Sequence, residues 1–334
     1  MASAKTKQAG VVALLTGGSG FLGPAIVREI LEDSSSVQVK ELRVFDLNPL
    51  KNTDDKRIKF IQGDVRDKEA VLEASKDVDL VIHSAAIVDW GTKSEQEVLG
   101  VNYEGTRNMI EACRANQVKA LVYTSSLDVL YDGNPLINVD ENTPYPEKHA
   151  TSYCASKYLG EKSVLEANGK DLRTCSLRPA DIYGEGDPYH IGSLINMAKG
   201  GFYVRLGNGR SKCQHVYVGN MAHAHVLASA ALLDGNKKIQ GQAYFISDGP
   251  PSNFFSFFDS FVEAIGYRIR PKNLWLPRWF AYGLGAISEG IAFLIRPIKK
   301  YSPKMSRFAV TYTCTDYTIR TEKAKKEFGF TPLY

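Results

Sequence analysis

The chain is short of several things that would give a quick answer. Its five cysteines (Cys113, Cys154, Cys175, Cys213 and Cys314) are scattered and odd in number, with no CxxC or Cys/His ligand spacing. That excludes a disulfide scaffold and a zinc module, and it fits reduced thiols in a cytosol-facing compartment. Charge is nearly balanced, with 41 basic and 37 acidic residues giving a net +4 over 334 positions. No nucleic-acid partner is expected from so mild a field. The opening MASAKTKQAG has no apolar region of signal-peptide type, so a cytoplasmic location is expected. Repeats and low-complexity tracts are absent. His223 and His225 are two apart on a predicted helix, hence on opposite sides with no third ligand near, and no metal is expected. Long apolar runs are scarce too, with one exception: LPRWFAYGLGAISEGIAFLIRP, Leu276 to Pro297.

What is present is a rhythm. VVALL (Val11–Leu15), LRVFD (Leu42–Asp46), IKFIQGD (Ile58–Asp64), DLVIHSAA (Asp79–Ala86) and ALVYTSS (Ala120–Ser126) are apolar runs. Helical spacing lies between them, at AIVREILE (Ala25–Glu32) and near Ser94–Ala115. Buried strands alternating with helices predict an α/β fold, a Rossmann-type doubly wound parallel sheet. Ligands of such sheets sit at the carboxyl ends of the strands. Beyond RTCSLRP (Arg173–Pro179) the rhythm loosens, and strand and helix patterns return at HVYVGN, Met221–Leu233 and AYFIS. We therefore expect a nucleotide-binding domain over 8–180, its sheet completed by about 213–247. A smaller irregular C-terminal substrate lobe is expected over 181–212 and 248–334.

TGGSGFLG, Thr16 to Gly23, sits between the first strand and the first helix. Gly17 permits the tight turn, Gly20 lets backbone approach a pyrophosphate, and Gly23 lets helix and strand pack closely. The helix N-terminus offers free N–H groups to phosphate. Phe21 and Leu22 of the loop belong to the same cradle. Asp46 closes the second strand, where a carboxylate holds a ribose 2′-hydroxyl and repels a 2′-phosphate, so NAD is expected over NADP. Asp64 after the third strand either reaches the adenine or caps the helix that follows. Val65, and Ala85 and Ala86 after the fourth strand, complete the expected cofactor contacts.

TSYCASK places Tyr153 and Lys157 four apart, on one face of a helix. A phenol near pKa 10 is a poor base at neutral pH, and a neighbouring ammonium favours its ionised form. Ser126, at the end of YTSS, projects at the carboxyl edge of the sheet, with Ser125 the alternative if the register is one off. The expected chemistry has Tyr153 exchanging a proton with a substrate oxygen that Ser126 hydrogen-bonds, while a hydride passes to nicotinamide.

Taken together, TGGSGFLG, GDVRD, VNYEGTRNMIEAC, YTSSLDVLYDG, SYCASKYLGEKSVLEANG, LRPADIYGEGDP, VYVGNMAHAHVLA and AYFISD resemble the 3β-hydroxysteroid dehydrogenase family of the extended short-chain dehydrogenase/reductases. The resemblance runs over nearly the whole chain. It implies oxidation of a 3β-hydroxyl on a steroid or sterol with NAD, with Ser126, Tyr153 and Lys157 as the reacting set. It puts Pro179, after Arg178, beside the nicotinamide, and it implies a homodimer. Family members that also shift the Δ5 double bond carry a tyrosine and an aspartate where this chain has Phe245 and Gly249. Neither is an acid or base, which leaves that activity without its expected catalysts. The alternative the resemblance offers is a decarboxylating dehydrogenase of 4α-carboxysterols, for which Arg178 or Lys212 would meet the carboxylate. A related enzyme on a polar substrate would want a polar C-terminal lobe.

The apolar segment can then be weighed. A membrane span needs about 20 apolar residues without a buried charge. This run is shorter, bounded by Pro277 and Pro297, and contains Glu289. A core helix remains open. A helix over 277–296 lying in a membrane surface suits a sterol enzyme better, with RPIKK beside it toward anionic headgroups. That would put contact through 277–300 at a cytosolic membrane face, the endoplasmic reticulum in a eukaryote. NFFSFFDSF (Asn253–Phe261) reads equally as a core helix or as the wall of a lipid pocket.

Overall fold

Runs rich in Val, Leu and Ile with polar ends favour strands buried on both faces, and here they pair in parallel. Strands Val11–Thr16, Val39–Asp46, Ile58–Gln62, Leu80–His83, Ala120–Thr124, Arg173–Pro179 and Gln242–Ile246 form one seven-stranded sheet. The computed structural model describes residues 10–32, 34–51, 54–89, 93–201, 203–269, 274–295 and 306–334. In spatial order the sheet runs from Ile58–Gln62 through Val39–Asp46, Val11–Thr16, Leu80–His83, Ala120–Thr124 and Arg173–Pro179 to Gln242–Ile246. The order reverses at the first strand, where Thr16 lies opposite Phe45 on one side and His83 on the other. This is the Rossmann-type doubly wound arrangement, and its reversal opens a crevice at the carboxyl ends.

Two apolar layers sandwich the sheet. Helices Gly23–Leu31 and Val218–Leu233 cover one face through Ile26, Ile30, Met221 and Leu232. Helices Lys68–Ala74, Gly105–Ala115 and Ser152–Glu166 cover the other through Val71, Met109, Cys113 and Val164. Each fully buried Leu or Ile stabilises by about 1.5–3 kcal/mol relative to exposure. A third cluster, built around Phe254, Phe255, Phe258, Val262 and Tyr317, makes the C-terminal lobe. The aromatic helix is therefore core, with Phe258 fully buried against His190 and His215.

Two details differ from the pattern read in the sequence. His215–Tyr217 does not join the main sheet but pairs with Asp181–Tyr183 in a separate ribbon. The final helix, Glu322–Phe328, leaves the lobe and packs under the sheet, with Phe328 against Tyr244.

The apolar segment forms helix Arg278–Ile295. Only its small residues Ala281 and Gly285 are buried. A Cβ on Gly285 would stand 2.9 Å from the Arg307 nitrogen, so the glycine sets how closely helix Arg307–Thr313 approaches. Glu289 accepts from the Arg307 backbone and from its Nε, each at 2.7 Å. The stripe Phe280, Leu284, Ile287, Ile291 and Leu294 points outward and is exposed, which removes the core-helix reading. No helix among the described residues is long and apolar enough to cross a membrane. Residues 296–300, with the RPIKK cluster, lie outside the described residues.

Candidate active site

Because the strands are parallel, their carboxyl ends gather at one edge. There a cleft of about 510 Å3 runs from the glycine loop to the C-terminal lobe. At its near end, Gly17 has φ +73°, and a Cβ there would meet the Ala85 backbone at 2.7 Å. The loop thus presses on the chain after the fourth strand, which only glycine allows. Helix Gly23–Leu31 starts behind the loop with no side-chain cap, so the positive end of its dipole lies at this end of the cleft, which Gly20, Phe21 and Leu22 line. Asp46 holds the loop's shape: its carboxylate accepts from the Ser19 nitrogen at 3.0 Å and the Asn48 nitrogen at 2.9 Å. Asp64 pairs with Arg66 at 2.5 Å, which holds its carboxyl below the ordinary value, and both line the cleft. The glycine loop, the helix N-terminus behind it and a carboxylate at the second strand's end together fit a dinucleotide.

A buried relay fixes the floor. Thr16 Oγ1 lies 2.7 Å from His83 Nδ1 and accepts from the Ala85 nitrogen at 3.1 Å. His83 Nε2 lies 3.0 Å from Thr106 Oγ1, whose hydrogen goes to the Asn102 carbonyl. Burial pushes His83 down to about 3, so it is neutral, with Nε2 the donor in this network. Asn102 clamps Ile87 in both directions, accepting from its nitrogen at 2.7 Å and donating to its carbonyl at 2.9 Å.

The reacting set stands at mid-cleft. Ser126 is extended at φ −156° and caps the short turn Leu127–Leu130. Thr151 caps the helix that presents Tyr153 and Lys157 one turn apart, its hydroxyl accepting from the Cys154 nitrogen. Ser126 stands beside the Tyr153 phenol in the cleft lining and favours its ionised form. Lys157 is buried, donates to the Thr124 carbonyl at 2.6 Å and sits 4.4 Å over the Tyr123 ring. Burial dominates both groups. It raises the Tyr153 phenol well above its ordinary value, with Asp128 adding to the rise, and it lowers Lys157 to about 7.

The cleft brings together Gly17, Gly20, Phe21, Leu22, Asp46, Asp64, Val65, Ala85, Ala86, Ser126, Tyr153, Lys157 and Pro179. Gly23 lies behind the loop and Ser125 beside Ser126, its buried hydroxyl without a partner. Arg178 is not in the cleft. It is buried behind it, spent on Glu161 at 2.7 Å and Tyr145 at 3.0 Å. Lys212 is exposed and away from the lining, so neither cation proposed for a substrate carboxylate is in place. Phe245 is fully buried against Arg178 and Gly249 is also outside the lining.

Asp128, Asp181, Tyr189, His190, Phe308 and Tyr312 also line the cleft and carried no sequence signal. Phe308 and Tyr312 arrive from helix Arg307–Thr313, more than 150 residues after Tyr153. Tyr312 donates to Asp181 at 2.7 Å. Asp181, Cys213 and His215 bring one donor atom each within 4.8 Å of one another. Burial raises the first two and lowers His215 to about 3, which favours the neutral form of each. His223 pairs with Glu29 and His225 with Thr124, so those two histidines face different partners.

Residues 14–278 match the sequence pattern of the 3-beta hydroxysteroid dehydrogenase/isomerase family. The 3 beta-hydroxysteroid dehydrogenase type 7 of Homo sapiens is 38% identical, the match covering 97% of this chain and 92% of that one. Short-chain dehydrogenase/reductase family 42E member 1 of Homo sapiens is 35% identical, over 95% and 83%. Among solved structures, dTDP-glucose 4,6-dehydratase from Streptomyces venezuelae, with NAD bound, is similar at a TM-score of 0.74 and 19% identity, covering 97% and 92%. An epimerase from Methanothermobacter thermautotrophicus gives 0.72 and 18%, covering 97% and 88%. At such identities these two show the fold alone.

Proposed function

Because the chain belongs to the 3-beta hydroxysteroid dehydrogenase/isomerase family, we propose that it oxidises the 3β-hydroxyl of a steroid or sterol to the 3-ketone. NAD is the cofactor, and when bound it accepts the hydride. The observation that carries the reading is the juxtaposition of Ser126, Tyr153 and Lys157 in one cleft with the glycine cradle and Asp46. Tyr153 takes the hydroxyl proton. Lys157 holds the cofactor's ribose and supplies the positive field that offsets the burial of the phenol. Ser126 donates to the substrate oxygen as it becomes a carbonyl. Pro179 walls the nicotinamide end. Phe308 and Tyr312 wall the far end with aromatic surface suited to a sterol ring system.

The substrate is best read as neutral near its reacting carbon. Among the described lining residues each Lys and Arg is already engaged: Arg66 with Asp64, Lys93 with Glu97, Lys157 with the Thr124 carbonyl. Asp128 and Asp181 add carboxyl groups nearby. A 4α-carboxylate would meet no free cation there, so the decarboxylating alternative is the weaker one.

The outward apolar face of helix Arg278–Ile295 is read as a contact with a membrane surface. Its inner face grips the helix that carries Phe308 and Tyr312 into the cleft. A lipid-facing helix and the substrate wall are thereby neighbours, which suits a substrate that partitions into membrane.

The test is NADH formation on a panel of 3β-hydroxysteroids, a 4α-carboxysterol and nucleotide sugars. Turnover of the neutral 3β-hydroxysteroids is expected. Turnover confined to nucleotide sugars would refute the reading.

A further inference from the structure

Asp128 is the acidic group nearest the reacting set, and the activity proposed above gives it no task. Its Oδ2 lies 2.8 Å from Ser126 Oγ, and its own backbone nitrogen donates to that same oxygen at 3.2 Å. Its Oδ1 is buried without a hydrogen-bond partner. A serine hydroxyl has one hydrogen and two lone pairs. If Asp128 is ionised, the Ser126 hydrogen is drawn to the carboxylate and cannot serve the substrate. If Asp128 is protonated, its O–H donates to Ser126. Together with the Asp128 N–H, that fills both lone pairs and turns the Ser126 hydrogen into the cleft, where the Tyr153 phenol and the substrate oxygen meet.

We propose that Asp128 works as a neutral carboxylic acid and is the positioning residue that turns the Ser126 hydroxyl toward the substrate oxygen. The inference rests on the dehydrogenase reading of Ser126 and Tyr153. Asp128 keeps its proton throughout. The substrate hydroxyl proton goes to Tyr153 and the hydride leaves the same carbon for the cofactor, so the reaction balances without it.

The surroundings favour the neutral form. Burial pushes Asp128 up to about 7, Asp181 adds to the rise, and Ser126 and Lys157 oppose it. Tyr153, Cys154 and Lys157 face it from their helix, Asp181 from the next ribbon, and Tyr131, Tyr312 and Tyr317 from the lobe. Of these only Lys157 can carry a compensating charge, and its ammonium is already bonded to Thr124. An ionised Asp128 would also oppose the ionisation of Tyr153, which the chemistry requires.

Asp128→Asn supplies an amide N–H in place of the acid O–H and cannot ionise. It should keep kcat within a few-fold of wild type near pH 6. It should also lack the alkaline loss of rate that wild type shows as Asp128 ionises. Asp128→Ala should lose about 10²-fold in kcat, the scale for losing one donor to a developing oxyanion, with NADH affinity unchanged. Melting gives an independent reading. The folded carboxyl titrates above its unfolded value near 3.9, so wild type loses stability as pH rises from about 4 to about 7 and Asp128→Asn does not. The Tm advantage of the Asn variant should therefore grow across that window and then level off. A gap independent of pH, superimposable pH–rate profiles, or an Asn variant as slow as Ala would overturn the proposal. A wild type that oxidises no 3β-hydroxysteroid would instead sink the activity, while the melting curves still report on the Asp128 proton.

Discussion

Glu161 and Arg178 form a buried ion pair directly behind the reacting side chains, with Nη2 2.7 Å from Oε1 and Nε 3.0 Å from both carboxylate oxygens. Glu161 lies one turn beyond Lys157 on the same helix, and Arg178 immediately precedes Pro179 in the cleft wall. The pair therefore bolts the helix that carries Tyr153 to the strand that walls the far side of the cleft. Ser176 and Tyr145 donate further hydrogen bonds to Glu161, each at 2.7 Å.

Removing one partner of such a pair leaves a buried charge uncompensated. Arg178→Met should destabilise the fold by about 3–5 kcal/mol, read by urea denaturation. The attraction of Arg178, with the hydrogen bonds from Ser176 and Tyr145, keeps Glu161 below its ordinary value despite burial. A depressed carboxyl stabilises above its unfolded pKa near 4.3, and that contribution is lost as pH falls through the folded value. The gap between wild type and Arg178→Met should accordingly narrow in acid. A gap that widens in acid would contradict this account of the pair.

Tyr153→Phe removes the proton acceptor and little volume. We expect kcat to fall by about 10²–10⁴-fold, the usual worth of general acid–base catalysis, with NADH binding near wild type by fluorescence titration. A variant with near wild-type turnover would exclude Tyr153 as the base.

Much of this site is legible in the sequence because short-range physics builds it. The glycine loop needs its own turn geometry, Asp46 needs only to end a strand, and Tyr153 and Lys157 share a face through helical spacing. What escapes the sequence is what the tertiary fold assembles. Asp128 looks like any polar residue in a turn until its carboxyl is seen against Ser126, with one oxygen buried. Phe308 and Tyr312 reach the cleft from a distant helix with no motif. Arg178 reads as a free cation next to the nicotinamide wall, and only the structure shows Glu161 consuming it. The ribbon of Asp181–Tyr183 with His215–Tyr217 has strand composition, but three residues of pattern do not specify a partner strand.

Cofactor choice gives a third measurement. Asp46 accepts the Ser19 and Asn48 N–H groups, one on each oxygen, and lines the cleft at the end of the second strand. A carboxylate there repels a 2′-phosphate, so rates with NAD should greatly exceed those with NADP. Asp46→Ser keeps an acceptor for the loop and drops the charge. The NAD/NADP ratio of kcat/KM should fall at least about tenfold, or about 1.4 kcal/mol. An unchanged ratio would place the discrimination elsewhere.

The last prediction concerns the helix that looks out of place on a protein surface. Trp279, Phe293 and Leu294 are 76%, 73% and 74% exposed, and Ile287 and Ile291 lie open on the same helix. An apolar face of this kind is costly in water unless something covers it, and its inner face is already committed to helix Arg307–Thr313. If a bilayer covers it, burying Trp279, Phe293 and Leu294 supplies about 1.5–3 kcal/mol each. Replacing all three by Ser should then reduce co-flotation with phosphatidylcholine/phosphatidylserine liposomes by well over tenfold. The fold should survive, because none of the three packs in the core. The same variant should lose rate on a sterol presented in liposomes and keep it on a soluble steroid in detergent. That split separates delivery from chemistry, since the reacting set around Tyr153 is untouched. Equal flotation of the two proteins would mean that something other than lipid covers the face.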